Sequence, residues 1–166
     1  MSILSLRAPT ENDAEALSRL FLDETVGKTY MVPDFASPAE ALVLAKKVIT
    51  LSGQDGRFVR GVYLDGELIG LVNDVGIDKS SVELGWAILP EHHGKGFGTA
   101  AARLAAKELF SLGFEEIRAG AFENNTASRR VMEKLGMERT GTETVTYRGT
   151  VHECVTYSLG KEKFNG

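Results

Sequence analysis

Three glycines stand at alternate positions, Gly94, Gly96 and Gly98, between an apolar stretch that ends at Pro90 and a run rich in alanine and leucine that begins near Thr99. Without side chains, successive backbone N–H groups can approach an anion closely. A helix that starts there adds unsatisfied amides and the positive end of its dipole. Phosphate binding is the chemistry that this spacing suits, with Lys95 adding charge at the rim. A nucleotide P-loop needs Ser or Thr after Gly-Lys to hold magnesium, but Gly96 follows Lys95. A dinucleotide fingerprint needs glycine at its first, third and sixth positions, and the sixth residue is Thr99 counted from Gly94 or Ala101 counted from Gly96. A flexible glycine turn with no ligand is the alternative.

Other reactive side chains lead less far. His92 and His93 are adjacent, so they do not converge on one ion, and no third ligand is near; they are expected as turn residues, and no metal is expected. Cys154 lies in Val151–Val155, which alternates like a strand, where a thiol is packing more often than nucleophile. As the single cysteine it allows neither an internal disulfide nor a thiolate metal cluster. Tyr30, Met31, Val32, Pro33 and Phe35 form an apolar loop that could line a pocket or join the core. Arg129 and Arg130 could reach phosphates or lie on a solvated helix face.

The elements that position these residues can be read in order. Ile3–Arg7 is a strand. Thr10 and Asp13 form a variant capping box before Ala14, Leu17, Leu20 and Phe21, which share one helical face. Ser37-Pro38-Ala39-Glu40 starts a second helix that runs to about Leu51. Arg57–Leu64 and Glu67–Val75 form a hairpin on the turn Asp65-Gly66. Ser81–Leu89 is a strand, Thr99–Leu112 a helix, and Glu115–Phe122 a strand. Thr126–Leu135 is a helix closed by Gly136, and Met137–Tyr147 and Val151–Leu159 are two final strands. The expected class is therefore mixed α+β, with about seven strands and four helices, lacking the β-α alternation of a doubly wound sheet.

With 166 residues, 43% hydrophobic and 25% charged, residues 1–166 are expected to form one domain. A net charge of -4 gives no electrostatic reason for a nucleic-acid or membrane partner. No apolar run approaches the ~20 residues of a membrane span. The first residues lack the apolar core of a signal peptide, so the expected location is the cytoplasm.

Two motifs resemble those of the GNAT superfamily of acetyltransferases, within it the RimJ/RimL-like branch. Glu83-Leu84-Gly85-Trp86-Ala87-Ile88-Leu89-Pro90-Glu91-His92-His93-Gly94-Lys95-Gly96-Phe97-Gly98 is similar to the family's strand and Gln/Arg-x-x-Gly-x-Gly/Ala turn, with His93 replacing Gln or Arg. Asn125-Thr126-Ala127-Ser128, leading to Glu133-Lys134-Leu135-Gly136-Met137, is similar to the family's Asn-x-x-Ser segment and Glu-Lys-Leu-Gly-Phe ending. The resemblance implies a twisted mixed sheet, acetyl-CoA as cosubstrate and an amine acceptor, either a protein N-terminus or a small molecule. A monomer or homodimer is expected. Backbone groups of Trp86, Ala87 and Ile88 would hold the pantetheine arm. Gly94, Lys95, Gly96, Phe97, Gly98 and Thr99 would wrap the pyrophosphate, with Asn125 and Ser128 near the thioester.

Direct attack in a ternary complex needs a neutral amine. At pH 7 deprotonation costs about 4.6 kcal/mol for a lysine-type amine and about 1.1 for an α-amine. Glu83 is the first candidate base, directly or through water, although in a regular strand it points away from Leu84, Trp86 and Ile88. A bulge near Gly85 would change that, and a purely positioning carboxylate is the other possibility. Glu143 is a second candidate. Relatives often carry an acidic tyrosine seven residues after the motif asparagine, where this chain has Met132, so Ser128 is the candidate proton donor to sulfur, or else a CoA contact or helix cap. An acyl-CoA-binding sensor without turnover is the alternative function.

Overall fold

The computed structural model describes residues 2–166. Its strands are β1 (Leu4–Arg7), β2 (Val59–Leu64), β3 (Glu67–Asp78), β4 (Ser81–Ile88), β5 (Glu116–Phe122), β6 (Glu138–Tyr147) and β7 (Thr150–Gly160). They form one sheet in the order β1-β2-β3-β4-β5-β7-β6. Every neighbouring pair is antiparallel except β4 and β5, which run parallel. The helices are α1 (Ala14–Leu22), α2 (Glu24–Gly27), α3 (Pro38–Ser52), α4 (Phe97–Ser111) and α5 (Thr126–Leu135). The mixed α+β class and the seven strands are as expected.

The described residues form five α-helices rather than four. The extra one, α2, is a single turn whose first amides are met by Asp23, which accepts from the Val26 N–H at 3.0 Å. One turn is too short to show helical periodicity. The other departure concerns α4, which begins at Phe97 rather than Thr99. Gly98 therefore lies in its first turn rather than in the preceding loop.

The alternation of apolar residues makes two cores, one on each sheet face. On one face, Leu17, Leu20 and Phe21 of α1, Val26 and Ala45 pack on Val59, Tyr63, Leu71 and Ala87. On the other, α4 and α5 cover Val82, Leu84, Ile88, Ile117, Ala119 and Val155. Ala101, Ala102, Ala105 and Ala106 are all at 0% exposure. Their small side chains let α4 sit close against the sheet, which conserves packing density. Helices α1–α3 and their loop reach over β1–β4, so the first face stays open beyond β5.

A β-bulge sets the sheet's shape at the centre. Asp74 pairs with Leu84 and Gly76 with Glu83, which leaves Val75 without a partner. Parallel pairing of β4 with β5 ends at the same level, with Leu84 opposite Ala119. Bulges bend a strand and increase its twist, so β4 swings away from β5 beyond this point. The bulge is anchored by Asp74, 5% exposed. Its carboxylate accepts from Arg57 at 2.7 and 2.9 Å and from the Phe58 N–H at 2.7 Å, and the Asp74 N–H donates to the Phe58 carbonyl at 2.7 Å.

A second anchor joins the last hairpin to the loop after α2. The Tyr147 hydroxyl donates to the Gly27 carbonyl at 2.7 Å and accepts from the Val32 N–H at 3.2 Å. Arg148 pairs with Asp34 at 2.9 Å. Arg148 (φ 49°) and Gly149 (φ 75°) make the primed turn that aims this hairpin tip. The loop 28–36 is thereby held over the open part of the sheet face.

Two substitutions test these anchors. Asp74→Ala leaves the Phe58 N–H and Arg57 without their acceptor, and is expected to lower unfolding free energy by about 2–4 kcal/mol in denaturant titration. Tyr147→Phe removes only the hydroxyl, at about 1 kcal/mol. Its expected signature is local, with faster amide exchange at Val32 than at core strands such as β3.

Candidate active site

The glycine turn has the geometry of an anion cradle. Gly94 and Gly96 adopt φ of 75° and 81°, conformations that side chains resist. A Cβ at either position would meet nothing within 4 Å, so conformation rather than space calls for glycine there. Gly96 is the N-cap of α4, and no side chain caps that terminus. Its first amides are left pointing at solvent, where an anion would find both the donors and the dipole.

Beside this turn lies a cavity of about 390 Å³. Past Leu84, residues Gly85–Ile88 pair with β3 alone. Along the other edge half of their backbone donors and acceptors meet no strand. One of them, the Ile88 carbonyl, accepts from the His93 ring Nε2 at 2.6 Å, which sets that nitrogen as the protonated one. His93 thus props the turn against the strand it follows. His92 packs its ring against Phe97, centroids 6.1 Å apart. Among the described residues there is no group of three or more side chains that could hold a metal.

The cavity's far wall is the start of α5. Asn125 is the N-cap: its Oδ1 accepts from the Ser128 N–H at 3.2 Å, and its Nδ2 donates to the Ser128 hydroxyl oxygen at 3.1 Å. The first bond identifies Oδ1 as the acceptor, so the amide orientation follows from the network. Because Ser128 Oγ already accepts, its own proton is free to donate elsewhere. The spacing Asn-x-x-Ser is thus a helix cap that also presents a hydroxyl donor.

A second cavity of about 260 Å³ continues from the first, sharing Thr29, Tyr30, Trp86, Asn125 and Ser128. Glu83, Glu143, Asn73, Phe122 and Cys154 also line it. Register explains the convergence. Glu83 faces Arg118 across the sheet, and Cys154 faces both Phe122 on β5 and Glu143 on β6. Directly paired residues share a face, which brings the two carboxylates to one side. An extra residue at Thr140, where the β6–β7 register shifts, sets Glu143 opposite Cys154.

Each side chain here has a distinct environment. Glu83 lies 3.8 Å from Arg118, whose Nε donates to Ser81 at 2.8 Å. Glu143 is exposed and has no ion-pair partner among the described residues. Burial pushes the Cys154 thiol pKa up, and the neighbouring Glu143 and Glu83 carboxylates add to the shift. The Tyr30 hydroxyl donates to Asn73 Oδ1 at 2.6 Å, and burial holds the phenol far above its ordinary pKa. Tyr30 is a wall of the pocket and its proton is already committed.

Of the residues picked out by sequence, the structure gathers Trp86, Ala87, Ile88, Gly94, Gly96, Phe97, Gly98, Thr99, Asn125 and Ser128 around the first cavity. Lys95 is exposed and is not among the residues lining it. Glu83 and Glu143 lie in the second cavity. The bulge lies on β3 at Val75 and not near Gly85, so β4 keeps the alternation of a regular strand: Leu84 and Ile88 face one core and Ala87 the other. Met132 is at 0% exposure in the core and lines neither cavity. Of the apolar loop, Tyr30 and Met31 line the second cavity, while Val32 is buried in the core.

Sequence reasoning missed Lys134, which lies one turn beyond Arg130 on the same wall of the first cavity. The i, i+4 spacing was a usable signal. It also missed Asn73, for which no local signal exists, since only the β3–β4 bulge and the Tyr30 loop bring it in.

Comparison with known proteins agrees with this geometry. The family model described as an acetyltransferase (GNAT) domain matches residues 4–138. The uncharacterized N-acetyltransferase YoaA of Bacillus subtilis (strain 168) is 29% identical over 96% of this chain and 94% of its own length. A crystal structure of a GNAT-family acetyltransferase from Bacillus anthracis superposes with a TM-score of 0.83 at 25% identity, covering 98% of this chain and 100% of that one. Mycobacterium smegmatis RimJ, solved with CoA-disulfide, shares the fold at a TM-score of 0.85 and 20% identity, covering 98% of this chain and 84% of its own. With a glycine-turn cradle, an open strand edge and the family model over most of its length, this chain belongs to the GNAT acetyltransferase family and is an acetyl-CoA-dependent N-acetyltransferase.

Proposed function

We propose that the protein transfers acetyl directly from acetyl-CoA to a primary amine in a ternary complex, with the two cosubstrates entering from opposite ends of the joined cavities. The observation that carries this reading is the open β4 edge. It runs from the glycine turn at one end to Asn125 and Ser128 at the other, and the second cavity opens onto the same point. The backbone groups of Trp86, Ala87 and Ile88 have the period of an extended pantetheine arm, which would bind as an added strand. The Gly94–Thr99 amides, with Arg130 and Lys134 on the facing wall, suit the pyrophosphate.

The thioester then lies beside Ser128. Its free hydroxyl proton is the donor to the departing thiolate, a group whose pKa of about 8.5, by analogy with cysteine, makes modest help sufficient. Glu83, 3.8 Å from Arg118, is the acceptor of the amine's proton, through a water that bridges its distance from the thioester. The tetrahedral oxyanion is met by a backbone N–H of the open edge near Trp86, which lines both cavities together with Ser128. The acceptor is an amine small enough, or thin enough at its reacting end, for the 260 Å³ cavity.

The decisive assay is thiol release from acetyl-CoA over peptides with free N-termini, amino acids, polyamines and aminoglycosides, with mass analysis for a product about 42 Da heavier, the mass an acetyl group adds on replacing a proton. CoA binding without turnover would favour a sensor, and absence of CoA binding would overturn the assignment of the groove. Ser128→Ala is expected to lower kcat about 10- to 100-fold while the Kd for CoA changes little. Gly96→Ala should act conversely: the φ of 81° resists a side chain, and CoA affinity should fall about tenfold.

A further inference from the structure

We infer that this enzyme selects its acceptor by charge, taking aliphatic diamines and polyamines, with the second ammonium of the acceptor seated on Glu143. The inference rests on the acetyl-transfer reading of the joined cavities.

The lining of the second cavity contains two carboxylates, Glu83 and Glu143, and no lysine or arginine. The nearest cation, Arg118, is shared: it is 3.8 Å from Glu83 and 3.9 Å from Glu116. Arg148, on the hairpin tip, does not line the cavity and is taken up by Asp34 at 2.9 Å. The unbalanced charge of the pocket is therefore negative and centres on exposed Glu143. Burial raises the pKa of the Cys154 thiol, and the neighbouring Glu143 and Glu83 carboxylates raise it further. Tyr30, Trp86 and Phe122 also line the cavity, and aromatic faces attract ammonium groups.

A carboxylate on the acceptor would meet only like charge here, so free amino acids are disfavoured. A monoamine would satisfy one carboxylate at most. An acceptor with two ammonium groups can present one to Glu143 while the other loses its proton and attacks the thioester. In that step the N–C bond to the acetyl carbonyl forms, the C–S bond breaks with its electron pair leaving on CoA sulfur, and the amine proton passes to Glu83. The cavity of about 260 Å³ lies just below the roughly 300–1,000 Å³ of pockets for drug-sized ligands, a size that suits a thin alkyl chain.

Three acceptors of equal chain length separate the charges: pentane-1,5-diamine, pentan-1-amine and L-lysine, with an alanine-headed tripeptide amide as the protein-like competitor. The diamine is expected to have a kcat/KM about tenfold or more above each of the others, the scale of one charge-assisted contact. Its KM should rise more steeply with salt than that of the monoamine. In Glu143→Gln the ratio of diamine to monoamine should fall towards unity, and Glu143→Asp should restore part of it. The Kd for CoA, measured on each variant, verifies that it is folded. A ratio unchanged in Glu143→Gln, or better turnover of lysine or the tripeptide, overturns this inference while leaving acetyl transfer intact. CoA binding without thiol release from any amine overturns both.

Discussion

Parallel pairing between β4 and β5 stops after Leu84 and Ala119, and the rest of the site depends on that interruption. A strand in the middle of a sheet normally has both edges satisfied, since unpaired backbone groups are costly to bury. Here the second half of β4 keeps one edge free, which a ligand with amide groups can complete. The bulge at Val75 lies at the level where the pairing ends, and the extra twist it introduces is the physical cause of the opening. Asp74 fixes the bulge from within the core, so a buried carboxylate that lines neither cavity helps to determine the shape of the groove.

The two helices that begin at this opening bring complementary chemistry. The start of α4 is left bare: glycine is its N-cap and no side chain competes for its amides. That is a poor cap by itself and a good anion site. The start of α5 is the reverse, with Asn125 satisfying the Ser128 amide and also orienting the Ser128 hydroxyl. One terminus thus keeps its amides and dipole uncapped, and the other uses its capping residue to orient a hydroxyl. Both lie on the same groove because α4 and α5 pack together on one face of the sheet.

The second cavity is built from the other face. Helices α1–α3 cover only part of it, and the loop after α2 is drawn across the remainder by Tyr147 and Arg148 at the tip of the last hairpin. Glu83 and Glu143, separated by 60 residues of chain, come to one pocket through strand register alone. A shift of one residue in β6 would turn Glu143 to the opposite face. The bulged residue at Thr140 is therefore as much a determinant of the pocket's charge as Glu143 itself.

What the amino-acid sequence determined by itself is local in origin. The glycine spacing at 94, 96 and 98, the cap Asn125 with Ser128, the primed turns at Asp65-Gly66 and Arg148-Gly149, and the alternation that separates two cores all act within a few residues. They announced seven strands, four of the five helices and the anion cradle. The one-turn helix α2 escaped because a single turn has no period. The start of α4 was misplaced by two residues because Gly98, a poor helix former, is tolerated in a first turn where side-chain packing is slight. Tertiary structure alone decided the rest. It put a bulge on β3 and left β4 regular, kept Lys95 outside the cavity and turned Met132 into the core. It also joined Asn73, Glu83, Glu143 and Cys154 around one space. Those outcomes depend on cross-strand register and on how far one strand twists from another, which are set by contacts between residues distant in the chain and leave no periodic trace in it.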